Sequence, residues 1–524
     1  MTQEKVLRAC IAVLTGLLLC IAYTSEARAA DSSPPGVPPA FEAQAAPPAE
    51  APTPGPALAT EPPAQQPASA SSVSGKAPGV KPVAPAGAPS VEPPVKPLPV
   101  PAPQPSGPPT LTWLGITLYG VVDVGLAYLS HGAPPSSTYG PGLPYIDQNF
   151  SNGSVTSIAN NGLSQSKIGL SGIEPLHLSD LQAVFKLETG FQPATGRLTD
   201  GPKSLVANNG RANADKVTAG DSSRAGQPFQ GAAFAGLSSA MLGTLSFGRQ
   251  PSLMADDLMK YDPQLQSQAF SPIGYSGAAG GLGNTEDKIL DNSLKYIVVV
   301  GPVHLAALYQ FGKAGYLPGG SESVDFGADL AGFSVDFLWG RVHGAVSASS
   351  LTAAQSAAAP GTLAATVSDN TAYAAMLRYA FRALKLYAAY EHITYANPKD
   401  PLPVGTATIG DYVLSVVNNT AFTLHKVLHY AWAGARFSIT PSLDVSAAYY
   451  QFRQNSYNAN GCSDNSAGSC SGLFHDGSFV VDYKLSLRFD TYAGVNYSRV
   501  MDGMAAGFIN DHNWSSVLGL RFKL

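Results

Sequence analysis

The segment NWSSVLGLRFKL, residues 513–524, alternates. Trp514, Leu518, Leu520, Phe522 and Leu524 fall on one face with Ser516, while Ser515, Val517, Gly519, Arg521 and Lys523 fall on the other. A period of two places successive side chains on opposite sides of a β-strand. The same repeat recurs through the chain from about residue 111. Ile116, Leu118, Val122, Val124, Leu126 and Tyr128 oppose Thr117, Tyr119, Asp123 and Gly125. Ala183, Phe185 and Leu187 oppose Gln182, Lys186 and Glu188; Phe479, Val481, Tyr483 and Leu485 oppose Asp482, Lys484 and Ser486. A chain written this way builds sheet with one apolar face, and the open question is what covers that face.

Soluble sandwiches alternate too, so other features must decide. Only 13% of residues are charged, against about 25% in an average soluble protein. A net charge of −5 argues against nucleic acid as a partner. Beyond the first 30 residues no apolar run is long enough for a membrane-spanning helix. With 53 glycines and 23 tyrosines, these facts suit a transmembrane β-barrel, whose apolar surface is spread over alternate residues. Turns alternate in length as well. Short ones fall at SGIEPLHLSD, SSAMLGT, VVVGPVH, DLAGF, YAFRALK and SITPSLD. Long polar ones fall near 130–160, 192–228, 251–289, 340–370, 395–422 and 454–476. Short turns on one side and long loops on the other are the outer-membrane arrangement. The breaks predict about sixteen antiparallel strands, enough to leave an aqueous channel. A strand ending at Leu524 must then pair with the one beginning near Gly115, because only closure removes the edges.

The fold class expected is therefore all-β, a sixteen-stranded antiparallel transmembrane barrel with an extension before it. Residues 1–30 read as a cleaved signal peptide: Lys5 and Arg8, an apolar run from Ala9 to Tyr23, then Ala27-Arg28-Ala29. Cys20 follows a bulky Leu19, which speaks against lipidation. Residues 31–110 hold 25 of the 43 prolines and read as a disordered Pro/Ala-rich periplasmic linker favouring polyproline II; a grip on the cell wall is the alternative. The barrel occupies 111–524. Cys462 and Cys470 bracket CSDNSAGSC, and an exported loop favours a disulfide over two free thiols.

Catalytic patterns are missing. There is no GxSxG or HExxH, and the nine histidines are scattered. His425 and His429 are four apart, which on a strand separates them by about 13 Å, too far for one metal. No enzyme activity, cofactor or metal is expected. Tyr387, Tyr449, Tyr450 and Tyr497 could stack a sugar, but interfacial girdles also use tyrosine.

Several segments resemble the Gram-negative general porins. ITLYGVVDVGLAY is similar to that family's first strand, SQSKIGLSGIEPLHLSDLQAVFKLETGF to its second hairpin, and AAFAGLSSAMLGTLSFGRQ to its fourth and fifth strands. DNSLKYIVVVGPVHLAALYQFG is similar to the sixth and seventh, and VDYKLSLRFDTYAGVNYS to the penultimate pair. The resemblance implies a trimer in the outer membrane, in contact with lipid and lipopolysaccharide and passing small hydrophilic solutes and ions. It also implies a third external loop folded into the channel, here bringing Asp256, Asp257 and Asp262 to the passage, opposite a basic wall. Lys167 holds the second-strand position where arginine is usual, and alternation independently puts it on the wet face with Lys186 and Asp123. Three departures stand out: Gly231 where arginine is usual, Leu290 where a basic residue is expected with Lys288 nearby to substitute, and Leu524 where phenylalanine ends the chain. The function expected is passive diffusion through a water-filled channel; a substrate-specific channel and a structural tether are the alternatives.

Overall fold

The computed structural model describes residues 111–135, 145–177, 180–198, 201–218, 227–275, 288–312, 319–409, 412–418, 422–458 and 467–524. All belong to one compact unit, Ser106–Leu524. The proposed signal and Pro/Ala-rich segments lie outside the described residues, as does Cys462.

Twenty strands form a single sheet. In chain order they are β1 (Leu111–Trp113), β2 (Ile116–Gly132), β3 (Gly153–Asn160), β4 (Lys167–Pro175), β5 (Gln182–Gly190), β6 (Ala232–Ser239) and β7 (Gly243–Pro251). Next come β8 (Ile289–Val300), β9 (Val303–Gln310), β10 (Gly320–Leu330), β11 (Phe333–Ser349), β12 (Leu363–Phe381) and β13 (Leu384–Ala396). The last are β14 (Thr406–Ile409), β15 (Tyr412–Asn418), β16 (Lys426–Thr440), β17 (Leu443–Gln454), β18 (Gly472–Lys484), β19 (Phe489–Asp502) and β20 (His512–Lys523). Short helices α1 (Gly201–Ala207), α2 (Leu253–Tyr261), α3 (Pro272–Tyr275) and α4 (Ala353–Ala358) sit in the long connections.

The wall has sixteen staves. β1 is a short flap on β2. β3 and β4 are two halves of one stave, both pairing β2. β14 and β15 form a hairpin in a long loop, with β15 running parallel to the outer end of β12. β13 therefore pairs directly with β16. The circle closes between β2 and β20, from Val121↔Lys523 to Leu129↔Ser515, and the Leu524 amide donates to the Gly120 carbonyl at 2.9 Å. Pairing of the last stave with the first closes the sheet on itself, and among the described strands only the short β1, β3 and β14 keep an unpaired side.

Polarity is inverted relative to a soluble barrel. Leu126 is 56% exposed, Leu518 58% and Phe337 55%, whereas inward Asp123, Asp336, Ser515 and Asn513 are fully buried. Only a hydrocarbon solvent outside makes that arrangement favourable. Short turns join one rim at 240–242, 301–302, 331–332, 382–383 and 441–442; the long connections all lie at the other. The connection expected to run from 340 to 370 is shorter, because β11 continues to Ser349 and β12 begins at Leu363. Two further connections, 311–319 and 503–511, add to the long ones expected; the first carries the turn signal Pro318-Gly319-Gly320.

Candidate constriction site

The third long connection, 252–288, turns into the barrel. Ser252 caps α2, its hydroxyl accepting from the Ala255 amide at 3.2 Å. Met254, Leu258 and Tyr261 recur at helical spacing and are fully buried. They pack on an apolar strip of the inner wall made by Leu290, Leu308, Leu338, Met376, Ile393 and Trp432. Each buried Leu or Met contributes about 1.5–3 kcal/mol, so α2 is held by several such contacts together.

Beyond α2 the loop crosses to the far wall. Asp262 accepts from the Gln264 amide (3.0 Å), the Gln266 amide (2.7 Å) and the Tyr450 hydroxyl (2.5 Å). That clamp holds Leu265 and Gln266 at φ of 54° and 58°, a left-handed conformation that residues other than glycine adopt at a cost of about 1–2 kcal/mol. Trp432 Nε1 donates to the Tyr261 carbonyl, and Arg436 to that of Pro263, both at 3.1 Å. Gln264 is held by Ser446 and Ser478. Phe270 meets Tyr492 edge to face at 6.4 Å. Finally the Ala269 amide and Ser267 hydroxyl both donate to the Gly162 carbonyl, at 3.0 and 2.7 Å. The described part of the loop thus spans the interior from the β8–β13 side to the break between β3 and β4.

Asp123 makes that break. Its carboxylate accepts from the Leu163 amide (3.0 Å), the Ser164 amide (2.8 Å) and the Tyr492 hydroxyl (2.6 Å). The residue expected to line the passage is fully buried and instead holds the carbonyl on which the loop lands.

The remaining lumenal wall is charged. On β4 and β5, Lys167 (3.1 Å) and Lys186 (3.5 Å) share Glu188, with Tyr119 donating to the same carboxylate at 3.0 Å. Both lysines keep a third of their side chain exposed. On β18–β20, Arg521 bridges Asp482 (3.2 Å) and Asp490 (2.9 Å), and Lys523 joins Asp490 at 2.6 Å. Arg378 donates to Ser334 at 3.1 Å, while Lys385 is exposed at the short-turn end.

The residues singled out in the sequence divide. Lys167, Lys186 and Asp256 reach water, although Asp256 is paired to Lys295 at 2.7 Å. Asp262, expected on the passage, is fully buried because the loop consumes its carboxylate as an internal cap. Asp257 has one carboxylate oxygen buried without a partner. Burial, and then the nearby carboxylates of Asp325 and Asp336, push its carboxyl well above the ordinary range. Lys288 donates to Gln266 Oε1 (3.1 Å) and the Gly274 carbonyl (3.3 Å), stapling the loop to its own base. Leu290 packs under α2, and Gly231, where arginine is usual, lies against the Glu188 side chain, whose Oε1 is 2.6 Å from where a β-carbon would stand. Arg249 is a structural donor, to Gln230 O (2.8 Å) and Asp291 (2.6 Å). Tyr387 and Tyr450 face inward and are buried, whereas Tyr449 and Tyr497 face outward, so the four form no single row. Cys470 is disulfide-bonded. Lys295 and Glu188 carry as much of the site as the residues expected; both lie on wet faces legible from alternation.

The family model for Gram-negative porins matches residues 85–503. The chain belongs to the Gram-negative porin family. Among solved structures, this porin is similar to an anion-selective porin from Comamonas acidovorans at 16% identity, covering 78% of this chain and 99% of that one, with a TM-score of 0.52. It is also similar to OmpT, an outer membrane protein of Vibrio cholerae (12% identity, 79% and 99% covered, TM-score 0.48). The outer membrane channel DcaP of Acinetobacter baumannii matches at 13% identity, 78% and 97% covered, TM-score 0.43. A search of curated protein sequences finds no match. The porin is an outer-membrane channel for passive diffusion, and the loop inside its lumen is the element that narrows it.

Proposed function

We propose that the porin is a general diffusion channel with a preference for small anions, assembled as a homotrimer. One observation carries the preference. The inward carboxylates of Asp123, Asp262, Asp325, Asp336, Glu391 and Asp476 are at most 2% exposed, withdrawn from the permeation path, while the lumen-exposed Asp329 is paired to Lys260 at 2.9 Å. Lys167, Lys186, Arg378, Lys385, Arg436 and Lys523 keep contact with lumenal water. A permeating ion interacts chiefly with the charges it can approach to a few ångströms, because salt screens the rest within about 10 Å. Glu188 offsets only one of Lys167 and Lys186, and Asp256 on the loop opposes them. In this reading those three exposed groups line the constriction and set its transverse field.

Residues 1–30 act as the signal peptide and are removed, Cys462 pairs with Cys470, and 31–110 serve as a periplasmic spacer that leaves conduction unchanged when deleted. The porin contacts outer-membrane lipid and lipopolysaccharide through its apolar band. The deciding experiment is the reversal potential of the refolded protein in a planar bilayer under a KCl gradient. A potential of chloride sign supports the reading, and one of potassium sign overturns it. Closures in three equal steps support the trimer, and single-step closure refutes it.

A further inference from the structure

Beneath the short-turn end of α2, three adjacent strands present donors at one level of the wall. His304 on β9, Asp325 on β10 and Asp336 on β11 offer ligand atoms that all lie within 4.8 Å of one another. His304 Nε2 is 2.7 Å from Asp336 Oδ1 and 3.3 Å from Asp325 Oδ2. Donors held about 2.0–2.1 Å from a tetrahedral zinc ion stand about 3.3 Å apart, so small side-chain adjustments suffice.

Three further observations point to a ligand. Asp325 is 2% exposed and Asp336 fully buried, and Asp325 Oδ1 is buried with no hydrogen-bond partner. From the loop side, Asp257 adds another buried and unpartnered carboxylate oxygen. Between the ligands, Gly327 pairs with both His304 and Asp336 across the sheet. Any β-carbon there would collide with the Asp336 carboxylate and the imidazole, so glycine is what lets these donors converge. The charge does not balance either. Asp257, Asp325, Asp329 and Asp336 face one ammonium, Lys260, which lies 2.9 Å from Asp329 and 3.3 Å from Asp336. Burying Asp325 and Asp336 side by side, with half-buried Asp257 and half-exposed Asp329 next to them, is costly unless a cation joins them.

We propose that His304, Asp325 and Asp336 form a divalent transition-metal site, with Asp257 reaching it from α2, so that the ion ties the constriction loop to the wall. One imidazole nitrogen with carboxylate oxygens is a donor set that suits zinc, and manganese or nickel less tightly bound or less abundant. Asp329 Oδ2 lies 3.9 Å from His304 Nδ1, on the side from which a carboxylate steadies a metal-bound ring. His304 keeps 16% and Asp329 53% of the side chain exposed, which gives an entry path from the lumen. The inference is independent of ion preference.

The test is zinc titration of refolded, chelator-stripped porin against a chromophoric competitor. One zinc per chain at micromolar concentration is expected. His304→Gln should weaken it by more than the roughly 10–100-fold that losing even an orienting partner costs, while His392→Gln, on the outer face, should leave it unchanged. Failure of the wild type to compete for zinc, or undiminished affinity in His304→Gln, overturns the proposal. Should that variant fail to fold, X-ray absorption of the zinc-loaded wild type decides. A single imidazole among oxygen ligands supports the site, and two or more imidazoles refute it.

Discussion

Glu188 stands between two ammonium groups, and replacing it with glutamine frees both. Glu188→Gln keeps an acceptor for the Tyr119 hydroxyl and changes no volume, so the perturbation is one unit of charge. An ion passing 4 Å from the freed charge feels about 1 kcal/mol in water. At 0.1 M salt, with a screening length of about 10 Å, roughly two thirds of that survives. Anions gain that amount and cations lose it, a difference of about 1.3 kcal/mol, or about tenfold in the anion-to-cation permeability ratio. At 1 M salt the screening length falls to about 3 Å, and the change should shrink to about twofold. The assay is reversal potential under matched KCl gradients at the two ionic strengths, with heat-modifiable mobility as the check on folding. Lys186→Gln should shift the ratio the opposite way by a similar factor. A ratio unmoved by either substitution, or moved equally at both salt concentrations, would refute the assignment of this triad to the permeation path.

Three other outcomes follow from the geometry. Asp262→Ala leaves the fully buried Tyr450 hydroxyl and two amides without their acceptor; losing hydrogen bonds to a charged group costs about 1.5–3 kcal/mol each, and the loop should loosen, read as higher single-channel conductance with greater open-channel noise. Leu518→Arg, at a lipid-facing position 58% exposed, should destabilise the folded barrel in lipid by about 2–4 kcal/mol, measured by urea titration in vesicles, while leaving selectivity unchanged. Asp147, in the first long loop, has its carboxyl pushed up to about 7, chiefly by burial. Folding therefore favours its protonated form: its contribution is full below the unfolded value near 4, is lost as pH rises from about 4 to 7, and stays lost above. Asp147→Asn should flatten the fall in thermal stability between pH 4 and pH 8, by differential scanning calorimetry, and raise the value at pH 8 by about 1–3 kcal/mol.

Alternation made the wall readable, because a period of two fixes which residues face lipid whatever the neighbours are. Lys167, Lys186 and Glu188 were assignable to the lumen on that ground alone, and the closing pair of β2 and β20 followed from the need to remove edges. The loop was another matter. Asp256, Asp257 and Asp262 sit within seven residues and look equivalent on paper, yet one reaches water, one lies against Asp325 and Asp336, and one caps the chain reversal at Pro263. Those fates depend on which wall residues the loop meets, and the wall residues come from strands 39 to 188 positions away in the chain. Asp123 was placed on the correct face but not in its role, since the break it organises has no local signature beyond Asn161 and Gly162. The histidine–carboxylate cluster was invisible for the same reason: its three members are spread over three strands, with no spacing that a motif could record.

The strip beneath α2 has a further consequence for anyone reshaping this cylinder. Trimming the loop to widen the bore would not yield a broad aqueous conduit. It would bare Leu308, Leu338, Met376, Ile393 and Trp432 along one side of the interior, a greasy stripe from which water retreats and on which the pore would dewet and flicker shut. A nanopore built from this scaffold needs those positions rewritten as serine, asparagine or threonine in the same step as the deletion.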